Sequence, residues 1–334
     1  MKKLRTTLKI KFKKPLESQH FPSKSDILDA AARIRSFIHR TPVMTSENLN
    51  EIFGCQLWFK CENLQKAGAF KSRGACNAVF SLTETDAGKG VATHSSGNHA
   101  AALARAAGLR GIDAHIVMPS NSSKVKIAAV EKYQGKITFC EPTLEAREST
   151  LEKVVAEKGA VVIHPYDDLR IIAGQATATV ELLEQMPAPD LLLSPVGGGG
   201  LMSGTALAAR YFSKKKISVI ATEPEKANDA FQSFHARKFV PSSKPDTIAD
   251  GLRTSLGKLT YPIILDAVDD VVTVSENAII EAMKLVWERM KIIIEPSSAV
   301  PVAALLENKI NVSGKIVGVI LSGGNVDLDA LPWL

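Results

Sequence analysis

Short apolar runs recur along this chain with helical stretches between them, and that alternation limits the fold more than any other feature. The runs lie at 57–61, 91–93, 115–118, 137–140, 161–164, 191–195, 219–222 and 316–321. Most are apolar at nearly every position, which suits parallel strands covered on both faces. Between most of them lie segments with helical spacing, such as 100–107, 125–133, 144–157 and 201–209. The pattern predicts an open α/β sheet with helices on both faces. Ser25 is the expected cap of a first helix with Ile27, Leu28, Ala31, Ile34, Phe37 and Ile38 as its apolar stripe. No internal repeat and no domain linker interrupts the body, the strongest local break being 241–245.

Chemistry concentrates where strands give way to loops. Pro195-Val196-Gly197-Gly198-Gly199-Gly200-Leu201 joins an apolar strand to a helix. Four glycines expose consecutive backbone N–H groups, as phosphate binding requires. The loop lacks the Lys-Ser/Thr of a P-loop and does not spell G-x-G-x-x-G. His94-Ser95-Ser96-Gly97-Asn98-His99 also follows a strand and opens an alanine-rich helix. Its helix N-terminus, hydroxyls and amide suit a carboxylate, although the same residues also make a plain cap. Ser322-Gly323-Gly324-Asn325 follows the last strand, at the strand end where open α/β sheets bind ligands. Lys71, between Phe70 and an apolar helical pattern (Ala75, Ala78, Val79, Leu82), is either a solvated helix-start lysine or a desolvated amine. Burial would lower its proton affinity and let it condense with an aldehyde. Amine, carboxylate loop and phosphate cradle together describe a covalent aldehyde site.

Bulk properties narrow the partners. The 334 residues carry a formal charge of +6, yet seven of the 41 basic residues lie in the first fourteen positions with no acid among them. The remainder, 34 basic against 35 acidic, is near neutral, so nothing in the body calls for nucleic acid. Residues 1–24 are expected to be a basic, disordered tail. No apolar run approaches the roughly 18–20 residues of a membrane-spanning helix. Cys55, Cys61, Cys76 and Cys140 show no metal-type pairing, and four free thiols point to a reducing cytoplasm. Little sequence follows 322–325, so no C-terminal regulatory domain is expected.

With these motifs in view, the chain closely resembles the fold-type II pyridoxal-phosphate enzymes, specifically the serine racemase and serine/threonine dehydratase group. The likeness runs from about Asp26 to Asp327 and rests on Phe70-Lys71-Ser72-Arg73-Gly74, the Ser95–His99 loop and the tetraglycine. Cys140-Glu141-Pro142, Arg147-Glu148, the segments 248–251 and 287–291, and Ser322-Gly323-Gly324-Asn325-Val326-Asp327 also read like racemase segments. Ser96 separates the chain from plain threonine dehydratases, which usually carry alanine there. The resemblance implies a tryptophan synthase β-like fold of two open sheets with flanking helices. A large cofactor-binding domain would comprise 25–89 and 168–334, and a small mobile substrate domain 90–167.

It further implies pyridoxal 5'-phosphate on Lys71, Phe70 packed by its ring, and Asn98 bonded to its phenolic oxygen. Gly197, Gly198, Gly199, Gly200 and Leu201 would hold the phosphate, and Ser322 would face the pyridine nitrogen. Ser95, Ser96, Asn98, His99, Arg147 and Thr254 would meet the amino-acid substrate, with Lys71 and Ser96 as the proton-transfer pair. Glu223, Ala227 (through its carbonyl) and Asp229 match the family's Mg²⁺ or Ca²⁺ site, expected in a loop after the 219–222 strand. A homodimer is also implied. Mammalian serine racemases bind a nucleotide at a dimer interface; Ala101 and Tyr166 align there without the expected amide side chains, which speaks against ATP activation. The implied reaction removes water and ammonia from serine or threonine, with serine racemisation beside it and threo-3-hydroxyaspartate as the alternative substrate. A nicotinamide oxidoreductase would account for the sheet and a glycine loop but not for Lys71, cysteine synthase is a more distant alternative, and a non-catalytic role is open to any fold.

Overall fold

The computed structural model describes residues 21–122 and 124–334. Among these residues ten strands form two sheets: β1 (Val43–Met44), β2 (Gln56–Cys61), β3 (Val91–His94), β4 (Ala114–Pro119), β5 (Lys136–Cys140), β6 (Val161–Val162), β7 (Leu191–Pro195), β8 (Ser218–Pro224), β9 (Asp270–Val274) and β10 (Ile316–Leu321). The larger sheet has the order β1-β2-β10-β7-β8-β9, the smaller β5-β4-β3-β6. Among the strand pairs of the described residues, β1–β2 alone is antiparallel. The central strands explain why the apolar runs were continuous. Every residue of β4 and β7 is buried, because helices cover both faces.

Several sequence-based expectations need correction. The run at 161–164 pairs only over Val161–Val162, and the chain then leaves the sheet edge towards His164 and Pro165. β9 was missed because Asp270 and Thr273 dilute its apolar signal, and β1 because two residues carry no period. Ser23, not Ser25, caps the helix Lys24–Ile34: its hydroxyl accepts from Asp26 N–H while the Asp26 carboxylate accepts from Ser23 N–H. That helix stops before Phe37 and Ile38, and Leu28 stands exposed. Pro22 is buried and Phe21 packs against the core, so these residues of the supposed tail belong to the fold; residues 1–20 lie outside the described residues.

The helix Leu169–Gln185 runs through the centre of the molecule, buried without interruption from Ile171 to Val180. It packs against the helices Lys24–Ile34, Lys71–Phe80 and Gly200–Phe212. Its approach to Lys71–Phe80 is set by two glycines: a methyl built on Gly174 would lie 2.6 Å from the Gly74 Cα. Nearby, Arg73, Lys60 and Glu62 are fully buried against Glu181, whose side chain keeps 15% exposure. Arg73 donates to both Glu62 oxygens at 2.7 and 2.8 Å and to both Glu181 oxygens at 2.8 Å. Lys60 Nζ donates to Glu181 at 2.6 Å, to Thr41 O at 2.8 Å and to Gln185 at 2.8 Å. Two cations and two anions thus balance inside the protein, and they fix the helix that begins with Lys71.

Candidate active site

The carboxyl ends of both sheets face one cavity of about 690 Å³. Much of the wall is loop leaving a strand, 94–99 after β3, 119–122 after β4, 164–166 after β6, 195–202 after β7 and Ser322 after β10, and Phe70, Lys71, Lys126, Arg147, the segment 242–255 and Glu295 complete it. This is where open α/β sheets place ligands. Lys71, Phe70, Ser95, Ser96, Asn98, His99, Arg147, Gly197, Gly198, Gly199, Gly200, Leu201, Thr254 and Ser322 all line it. Glu223, Ala227 and Asp229 do not.

Lys71 is the first residue of its helix and only half-buried as a residue, but its amine is enclosed. Nζ donates to Pro165 O at 2.8 Å and lies 5.0 Å from the Phe70 ring centroid. Loss of water pulls its pKa down to about 8, against the opposing charge of Glu295. The amine is therefore tied to the protein at Pro165 rather than free at the surface. A lysine tuned this way reaches its free-amine form near neutral pH, as covalent catalysis needs.

The tetraglycine turns into the helix Gly200–Phe212 through Gly199, whose φ of 88° is open to few residues other than glycine. Its N–H groups at the helix start have no intrahelical acceptors and project the positive end of the helix dipole. The loop is also held by the protein itself. A methyl on Gly198 would meet the Tyr166 ring at 2.3 Å, and one on Gly199 would meet Thr260 Cβ at 2.7 Å. Thr260 Oγ1 donates to Gly198 O at 2.8 Å, and Asp167 accepts the N–H groups of Lys258, Leu259 and Thr260. Tyr166, aligned from sequence with a nucleotide-binding position, therefore stands on the cavity wall; Ala101 is buried in the helix Asn98–Arg110.

Opposite the glycines, the turn 95–97 leads into Asn98–Arg110. His99 Nε2 lies 3.3 Å from Ile163 O, leaving Nδ1 buried without a partner among the described residues. Burial, helped by Lys71, holds its pKa well below the usual histidine value. His164 Nδ1 accepts from Asp167 N–H at 2.9 Å, and burial brings this ring down to about 4. With His94, also lowered by burial, these neutral rings line the cavity beside Lys71. Ser322 is buried at the end of β10, and its carbonyl accepts the Phe70 N–H at 3.0 Å.

Sequence reading missed Glu295. Its carboxylate accepts from Asn98 Nδ2 at 3.0 and 3.1 Å, and burial raises its pKa to about 7. The only sequence signal was an acid closing the apolar run 292–294 immediately before Pro296. Lys126 and Asp250 were missed too; they pair across the cavity, linking the helix Lys124–Lys132 to the loop at 250.

Glu223 and Asp229 do not occupy a free loop as expected. Glu223 belongs to β8 and Asp229 opens the helix Asp229–Ala236, with Ala227 in the turn between. Glu223 accepts from Ala230 N–H at 3.0 Å and from Phe231 N–H at 2.8 Å. Asp229 Oδ2 accepts from Leu256 N–H at 3.2 Å, while Oδ1 is buried without a hydrogen-bond partner among the described residues. Burial, then the neighbouring Asp229, drives the Glu223 pKa well upward. The described residues contain no cluster of three or more His, Cys, Asp or Glu side chains of metal-binding type.

Comparison with known proteins fits this geometry. The family model "Pyridoxal-phosphate dependent enzyme" matches residues 34–323. A beta-hydroxyaspartate dehydratase of Paracoccus denitrificans is 50% identical over 314 residues, 94% of this chain and 99% of that protein. A serine racemase of Arabidopsis thaliana is 52% identical over 324 residues, covering 95% and 98%. The crystal structure of serine racemase from Dictyostelium discoideum superimposes with a TM-score of 0.87 at 48% identity, covering 92% of this chain and 99% of that one. The fold is that of the fold-type II group, with two sheets and flanking helices. With a desolvated lysine facing a glycine-lined helix start inside that fold, this chain belongs to the family of pyridoxal-phosphate dependent enzymes.

Proposed function

We propose that this protein removes water and ammonia from β-hydroxy amino acids of the serine/threonine type, and that it also racemises serine. The observation that carries this reading is Lys71: an enclosed amine with its pKa drawn down to about 8, in one cavity with the Gly197–Gly200 helix start and the Ser95–His99 turn. The residues fit pyridoxal phosphate. Gly197–Gly200 and Leu201 offer N–H groups to the phosphate, Phe70 a ring face, Asn98 an amide N–H and Ser322 a hydroxyl at the cavity floor. Bound there, the cofactor supplies an aldehyde that captures the substrate amine and a ring that withdraws electrons from Cα.

The protein's own groups do the rest. Ser95, Ser96, Asn98 and the start of helix Asn98–Arg110 hold the substrate carboxylate, with the His99 ring behind them. Lys71, freed as a neutral amine, takes the Cα proton from one face. Ser96 returns a proton from the other face and inverts the centre. Ser322 is an alcohol, which leaves a ring nitrogen less proton-rich than a carboxylate would; loss of the β-hydroxyl then competes with return of the proton.

A second reading, dehydration of threo-3-hydroxyaspartate, is favoured by Arg147. Its guanidinium lines the cavity and bonds only Thr143 O, with no ion pair among the described residues, so a second substrate carboxylate would find a counter-charge. The Paracoccus relative bears a matching name. We further propose that Glu223, Asp229 and the Ala227 carbonyl bind Mg²⁺ or Ca²⁺, supported by the orphaned Asp229 Oδ1 and two mutually repelling carboxylates. The segments 25–89 with 168–334, and 90–167, are read as cofactor and substrate domains. A homodimer working in the cytoplasm completes the proposal, and the four free cysteines, three of them buried, support a reducing compartment.

The test is chemical. Purified protein should absorb visible light, and borohydride should fix a phosphopyridoxyl group on Lys71, located by peptide mass spectrometry. Keto-acid release from L-serine, D-serine, L-threonine and threo-3-hydroxyaspartate ranks the substrates. Normal turnover by Lys71→Ala would refute the assignment.

A further inference from the structure

Glu295 is 5% exposed and caps the helix Pro296–Leu306, yet it makes no ion pair among the described residues. Its environment comes from five directions. Both carboxylate oxygens take Asn98 Nδ2, while the Asn98 Oδ1 accepts from Asn325 Nδ2 at 2.9 Å. A second bond from the Asn325 segment also favours the carboxylate. Gly323 lies so close that a methyl there would meet Oε1 at 2.7 Å. Asp250, whose neighbour Gly251 bonds Ser297, opposes ionisation, Lys126 favours it, and Lys71 gains proton affinity when Glu295 is charged.

Such a group has little structural justification. Capping its helix needs no buried charge, and an apolar isostere would avoid the desolvation cost that a buried carboxylate imposes. The clamp on Asn98 gives it a use. Asn98 is locked with its oxygen towards Asn325 and its nitrogen towards Glu295, so the orientation this amide presents to the cavity is fixed at both ends. That presentation is strongest when Glu295 is ionised and weakens when it holds a proton.

We propose that Glu295 is a positioning residue that takes up and releases a proton at the cavity floor, and that through Asn98 and Lys71 it sets the charge presented to bound pyridoxal phosphate. The inference rests on the reading of this cavity as the cofactor site. Its carboxyl, balanced at about 7, is neutral below that pH and ionised above it. Ionisation strengthens the Asn98 clamp and favours the ammonium form of Lys71; protonation releases both.

The experiment is a visible-absorbance titration of the holoenzyme from pH 6 to 8, beside Glu295→Gln. A group centred at about 7 passes from roughly one-tenth to nine-tenths ionised over that window. Wild type should therefore show a band change with its midpoint there, and Glu295→Gln should stay fixed in the low-pH form. In the cofactor-free proteins, Lys71 of Glu295→Gln should be acetylated roughly threefold or more faster at pH 7, because one opposing charge is gone. Asp250→Asn, which leaves Glu295 in place, should move the wild-type midpoint to lower pH, and it decides the matter if Glu295→Gln fails to fold. Identical titrations and labelling rates, or an unmoved midpoint in Asp250→Asn, overturn the proposal. A wild-type protein with no visible band and no borohydride adduct on Lys71 overturns the cofactor-site reading instead.

Discussion

Replacing Arg73 by methionine should damage this protein more than any other single change on the Lys71 helix. Arg73 has no solvent exposure and makes four bonds of 2.7–2.8 Å to Glu62 and Glu181. Methionine fills much of the space but leaves two carboxylates facing one cation, Lys60. Breaking a buried pair in this way costs about 3–5 kcal/mol, because the partner's charge stays behind without compensation. The double variant Arg73→Met/Glu62→Gln restores the balance of one cation and one anion. It should recover roughly 1–3 kcal/mol relative to the sum of the singles. Urea unfolding provides the assay: midpoint should fall with little change in slope. Acid adds a second readout. Burial alone would raise the Glu181 pKa, but hydrogen bonds and charge from Arg73, then Lys60, hold it below 4.5. A depressed carboxylate contributes stability above its unfolded value and loses it as pH falls through the folded one. Arg73→Met should flatten that loss below pH 4.5. A single variant within about 1 kcal/mol of wild type, or strictly additive singles, would refute the reasoning.

Three further outcomes can be checked. Ser96→Ala should lose racemisation and keep dehydration of L-serine; chiral analysis beside keto-acid release decides, and parallel loss of both makes Ser96 a binding residue only. Chelator should lower the melting temperature and Mg²⁺ or Ca²⁺ restore it, whereas Glu223→Ala should not respond to either; an unchanged melting curve in wild type removes the cation from the account. Gly174→Ala places a methyl 2.6 Å from Gly74 Cα, so it should destabilise by about 1–3 kcal/mol and slow turnover by shifting the Lys71 helix; unchanged thermal stability would show that the two helices can separate without penalty.

What the sequence revealed, and what it hid, follows from the range of each signal. β7 and β10 were placed to the residue because apolar runs bounded by proline or serine carry their own ends. Lys71 and the glycines, which the fold brings to one cavity, stood out in the sequence because their signals are local. Glu295 was not, since its meaning comes from Asn98, nearly two hundred positions away, and from burial that no neighbour in sequence announces. The same holds for Lys60, which reads as an ordinary strand lysine until Glu181 and Gln185 close over it. Tyr166 was not read as part of the cavity because its place depends on the chain leaving β6 early and packing against the glycine loop.

Most of the cavity wall is polar loop and helix start, whereas the hydrophobic clusters lie mainly in the helices and strands and reach the wall at Phe70, Leu201, Met202 and Leu252. Chemistry and foldedness are therefore stored in largely separate parts of the chain. Exchanging Ser96, Arg147 or Thr254 removes few core contacts, so a lineage can move between turning over one β-hydroxy amino acid and another without first losing its stability margin. The exception is the strip where Tyr166, Asp167 and Thr260 hold the glycine loop: there a change in the wall is also a change in the frame. Substrate preference should drift along the 95–97 and 142–148 margins of the cavity and stay still along the glycine one.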